Sequence, residues 1–135
     1  MPTFTNPVAD AAEAEQALHG LAHVTRSIDD PTQIYPILGS LSAAASSLSQ
    51  SLHQLATFHD VPAHMRAPAT GVDRSRREAP HQVSWELHRA GEILRQVAAS
   101  LDRAHEVEAS IVYDSSDFPL VPEPPRPPLS QGLSL

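Results

Sequence analysis

The sequence predicts an all-α protein: an antiparallel bundle of three long heptad-patterned helices within residues 1–113, followed by a proline-rich extended tail at 114–135. Three observations carry that prediction. Apolar residues recur at alternating spacings of three and four through three separate stretches, the rhythm of one buried helical face. Two of those stretches open on a capping residue followed by proline, Asn6-Pro7 and Asp30-Pro31. From Pro31 to His59 the chain runs without one Asp, Glu, Lys or Arg, although those types make up 19% of the whole.

The first helix is expected over about residues 7–27, with Asn6 as cap, Pro7 in the first turn and a seam of Ala11, Ala14, Leu18, Leu21, Thr25 and Ile28. The second is expected over 31–59. Asp30 caps it, Gln33 stands where a capping box wants a partner, and Ile34, Leu38, Leu41, Ala45, Leu48, Leu52 and Leu55 form its seam. Pro36 lies too far in to be free of cost, so a bend or a fresh start is expected near Tyr35. The third helix is expected over 80–113, on Val83, Leu87, Ala90, Leu94, Val97, Leu101, Ala104 and Ile111, with Glu108 breaking the pattern. Ser75 and Glu78 have capping-box spacing, which would start it early and put arginines on its first turn, against the helix dipole.

Seven-residue repeats in consecutive segments favour nearly parallel or antiparallel packing with left-handed crossing. Only Ile28 to Asp30 joins the first two helices, which forces a hairpin; the loop at 60–79 leaves the third helix more freedom. After Tyr113 the periodicity ends. Pro119, Pro122, Pro124, Pro125, Pro127 and Pro128 favour an extended chain, and their PxxP spacing suits an aromatic-lined groove.

Composition narrows the functions. A chain of 135 residues, 41% hydrophobic but only 4% aromatic, builds one domain with an aliphatic core. Its net charge of −7 argues against a surface that grips nucleic acid as a whole. With no cysteine there is no thiolate ligand or Cys nucleophile, and with no lysine there is neither Schiff-base chemistry nor a P-loop. No GxSxG elbow occurs, so no catalytic residues are assigned and no enzymatic activity is expected. Glu15, His19 and His23 stack at four-residue steps, and His88 with Glu92 and His105 with Glu108 sit one turn apart. None supplies a full ligand set, so neither a metal nor another cofactor is expected. The N-terminus has no basic or apolar leader region, and Ile34 to Leu48 is too short and too rich in Ser and Gly to span a bilayer; a cytoplasmic location is expected.

Two surfaces stand out. Away from the leucine seam of the second helix lie Gly39, Ser40, Ala43, Ser46, Ser47, Gln50, His53 and Gln54, small or hydrogen-bonding side chains that let another helix approach without burying a charge. Such a face serves cover within the monomer, contact with a second copy or another protein, or plain exposure. The expected partner is a second copy, in a homodimer, or another protein. Arg66, Arg74, Arg76 and Arg77 form a small basic island that would suit nucleic acid or an acidic partner, the alternative reading.

Two resemblances add to this. The stretch ADAAEAEQALHGLAHVTRSI at 9–28, with Asp30-Pro31 to Tyr35 and LSQSLHQLA at 48–56, resembles small helical proteins of actinobacterial plasmids and conjugative elements. That resemblance covers the first half of the chain and implies an accessory or adaptor role, in DNA maintenance or transfer, with no site residue to carry over. Tyr113 and Asp117 form a YxxxD pattern that resembles the export signal of actinobacterial type VII secretion substrates, which are helical hairpins. Trp85, followed by Glu86 and Leu87 inside a helix, departs from the WxG turn of those substrates.

Overall fold

The computed structural model describes residues 1–60, 74–114 and 125, and among them every regular element is helical. Three α-helices follow in order: α1 (Pro7–Val24), α2 (Ile34–Asp60) and α3 (Arg74–Glu108), with a 3₁₀ turn at Pro31–Gln33 before α2. The chain divides into two compact units, one of Met1–Pro31 with the chain from Tyr113, the other of Thr32–Val112. The second unit is the α2–α3 hairpin.

In the first unit, Asn6 caps α1 as its sequence predicts, accepting from the Ala9 amide at 3.1 Å, with Pro7 in the first turn. The Asp10 carboxylate turns back to accept from the Thr3 and Phe4 amides at 2.6 and 3.1 Å. Phe4 sits at a φ of 59°, and these bonds hold it there. The α-helix ends at Val24 rather than Ser27. The α pattern stops after the Thr25 amide takes the Leu21 carbonyl at 2.9 Å, because the next amide, of Arg26, turns to the His23 carbonyl three residues back at 3.4 Å. No residue of α1 is buried.

The start of α2 resolves the proline conflict at Tyr35. The 3₁₀ turn takes up Pro31–Gln33, the α-helix begins afresh at Ile34, and Pro36 falls in its first turn, where a missing amide hydrogen costs nothing. α3 begins at Arg74, six residues before Pro80, and runs through that proline. Ending at Glu108 rather than Tyr113, it closes on tight turns from Ser110 to Val107 and Ile111 to Glu108, followed by β-branched Ile111 and Val112.

α2 and α3 pack antiparallel on a contact that shares Leu38, Ala45 and Leu52 with the expected seam, Ala45 buried and the two leucines half-buried. The buried residues of α2 are Ser42, Ala45, Ser49 and Ala56; those facing them include Ser84, Gly91 and Ala98 of α3. Nothing larger than alanine is fully covered among the described hydrophobic residues. The expected seam residues Leu48 and Leu55 are 45% and 56% exposed. The contact thus keeps the stripe of Leu38, Ala45 and Leu52 and takes Ser42, Ser49 and Ala56 on one side of it in place of Leu48 and Leu55 on the other. Small side chains at seven-residue spacing let two backbones approach closely and gain dispersion and hydrogen bonds along the whole line, which leucines there would prevent.

Candidate interaction surface

The seam repeats in layers seven residues apart, each step up α2 matched by a step down α3. Tyr35 stacks on His105 with ring centroids 4.0 Å apart and planes 20° from parallel. One heptad on, the Ser42 hydroxyl reaches the Ala98 carbonyl at 3.3 Å and the Asp102 carboxylate. At the next, Ser49 donates to the Gly91 carbonyl at 2.7 Å. Ala56 then lies fully buried at the level of Ser84, whose hydroxyl donates to Asp60. Among the described residues no buried side-chain polar atom lacks a partner, so this polar seam is satisfied throughout.

Glycine is required at two points of closest approach. A Cβ on Gly91 would stand 2.7 Å from His53 Nε2, and one on Gly39 would stand 3.1 Å from His105 Nε2. Each glycine makes the room in which an imidazole lies across the facing helix. His53 then meets His88, Nδ1 to Nδ1 at 2.8 Å, so one proton must lie between the two rings. His88 turns its other nitrogen to Asp60 at 3.1 Å. The Ser84 hydroxyl, then the His88 ring, hold the Asp60 carboxyl below the ordinary aspartate value.

These cross-links show how the hairpin is sided. Ser42 with Asp102, His53 with His88, and Asp60 with Ser84 all leave the seam on one flank, where Gln50, Trp85 and Glu92 also lie by helical register. Arg95 there pairs with Glu92 at 2.8 Å, lowering the pKa of the carboxyl. The opposite flank carries aliphatic stripes of both helices side by side: Ile37, Leu41, Leu48 and Leu55 from α2, Val83, Ile93 and Val97 from α3. Val83 and Val97 are each 42% exposed and Ile93 is 51% exposed.

The structure splits the uncharged set read from the sequence. Gly39 and His53 belong to the α2–α3 contact, half-buried, whereas Ser40, Ala43, Ser46, Ser47, Gln50 and Gln54 are exposed. Of the basic island, Arg74, Arg76 and Arg77 open α3, and Arg66 lies outside the described residues, as does Asp117 of the YxxxD pattern. Glu15, His19 and His23 are exposed on α1, His88 is engaged by Asp60 and His53, and His105 by Tyr35. Among the described residues no group of three or more His, Asp or Glu is placed to hold a metal ion, and no helix is long and apolar enough to cross a membrane.

The sequence reading missed the histidine ladder and the apolar flank. A signal for both was present. Ser42, Ser49 and Ala56 repeat every seventh residue, as do Ser84, Gly91, Ala98 and His105, and two such small-residue heptads in one chain mark a close helix pair.

Together these features define an all-helical protein built on a close-packed antiparallel hairpin. Comparison of the chain with protein-family models, curated proteins and solved structures finds no match.

Proposed function

We propose that this chain is a non-enzymatic helical protein-interaction protein, an adaptor, scaffold or accessory subunit, that self-associates through a face of its α2–α3 hairpin. One observation supports this above others. The hairpin fully buries only small residues and leaves Leu48, Leu55, Val83, Ile93 and Val97 between 42% and 56% exposed, as a surface prepared for further cover. The resemblance of the first half of the chain to small mobile-element proteins suggests an accessory setting. Absolute molar mass by light scattering over roughly a hundredfold range of protein concentration tests the reading. A mass rising from one chain to two is expected, and a single-chain mass throughout refutes self-association.

The hairpin also favours a second reading, export as a type VII secretion substrate, because Tyr113 follows the second helix of the pair by five residues. Against it, Trp85 lies within α3 and not in a turn between helices. Changing Tyr113 to Ala in an actinobacterial host is expected to abolish appearance in the medium on this reading. Undiminished secretion, or none from the parent, removes it.

A further inference from the structure

We infer that the apolar flank of α2 and α3, and not the uncharged outer face of α2, is the self-association surface, and that its occupant is the same flank of a second copy of this chain. The inference rests on the self-association proposed above and says which surface performs it.

The chemistry of the two flanks separates them. On the polar flank Asp102, His53, His88 and Asp60 already have partners across the seam, Trp85, 59% exposed, carries Arg89 over its ring, and the pair of Glu92 and Arg95 would have to lose water for any docking there. On the apolar flank Leu48, Leu55, Val83, Ile93 and Val97 stand between 42% and 56% exposed, in two adjacent stripes. α2 contributes no Asp, Glu, Lys or Arg anywhere along it before Asp60. The exposed Glu86 at the edge of the α3 stripe therefore meets no like charge when α3 of one copy lies against α2 of the other.

Size selects the occupant. The 27 residues of α2 extend about 40 Å. Two helices side by side are about 20 Å wide, so the flank offers on the order of 800 Å² per copy, the area a stable dimer needs from each partner. α1, with 18 residues, is about 27 Å long and presents a thin stripe of Ala11, Ala14, Leu18 and Leu21; its length covers about two thirds of the flank. An identical hairpin matches it in length, width and polarity. Two such flanks facing each other make a four-helix arrangement in which each large side chain gains the neighbours its own hairpin denies it.

The test compares two double substitutions in the full-length chain by light scattering, with far-ultraviolet circular dichroism as a check on folding. Leu48→Glu with Val97→Glu is expected to raise the dimer dissociation constant at least about tenfold while leaving the helical signal intact. Ser47→Glu with Gln50→Glu, on the uncharged outer face, is expected to leave the dimer unchanged. Should the first variant lose helicity, Leu48→Gln with Val97→Gln takes its place. A parent that dimerises as tightly with the apolar flank altered, or loses its dimer when Ser47 and Gln50 change, overturns this assignment and leaves self-association standing. A parent that is monomeric at every concentration overturns both.

Discussion

The seam between α2 and α3 and the apolar flank beside it lie about 100° apart on the same helices, yet they use opposite kinds of residue. In the seam stand Ser42, Ala45, Ser49 and Ala56 against Ser84, Gly91 and Ala98. On the flank stand Leu41, Leu48 and Leu55 beside Val83, Ile93 and Val97, whereas Leu38, Leu52 and Leu94 line the seam half-buried. A hydrophobicity argument gives the contact to the flank, because burying a leucine removes far more apolar surface from water than burying a serine. The hairpin instead brings together the line on which backbones can come closest, where hydroxyls satisfy themselves on facing carbonyls and close contact repeats at every turn. The difference teaches that a helix with two usable stripes is built for two contacts, one made within the hairpin by small residues and one left to its surroundings.

Volume breaks this comparison most sharply. Ala56→Leu puts three extra heavy atoms where there is no room and is expected to cost about 1–3 kcal/mol of stability. Leu55→Gln, the adjacent position on the flank, is expected to cost under about 0.5 kcal/mol at concentrations where the protein is monomeric. Urea denaturation of both variants measures the contrast. Equal losses would mean that the two stripes are buried alike.

Hydrogen bonding sharpens it further. Ser49→Ala removes the donor to the Gly91 carbonyl, and because that carbonyl lies within a helix the loss is expected to be only about 0.5–1.5 kcal/mol. A substitution that proved neutral would show that shape alone holds the layer together.

The smallest effect is a pH dependence at the end of the seam. Asp60 is held below its ordinary value of 3.8 by Ser84 and His88, so its contribution is fully present above that pH and is lost as the pH falls through the lowered folded value. The urea midpoint of the parent is expected to drop more below about pH 4 than that of Asp60→Asn. Parallel curves would remove Asp60 from the account.

Much of the architecture was legible in the chain. Asn6-Pro7 marked the start of α1, Asp30-Pro31 was expected to open the second helix where a 3₁₀ turn precedes it, and Pro36 pointed to a bend or fresh start near Tyr35, which appears at Ile34. The ends were less so. α1 and α3 end where the Arg26 and Ser110 amides turn to carbonyls three residues back, a local tightening that apolar periodicity does not register. Of the eight uncharged residues read as one face, Gly39 and His53 turned inward because each lies at the margin of that face nearest α3, and the facing imidazole or glycine decided the outcome.

By itself, the sequence determined that this protein is helical, where its first helix begins, and that α2 is uncharged up to Asp60, because caps, prolines and periodicity act within a few residues of one another. Only the tertiary structure decided which of two stripes on α2 meets α3. That choice depends on how closely two backbones approach, which is set by side-chain volumes on both helices at once: Ser42 and Ser49 bind only because Ala98 and Gly91 leave their carbonyls within reach.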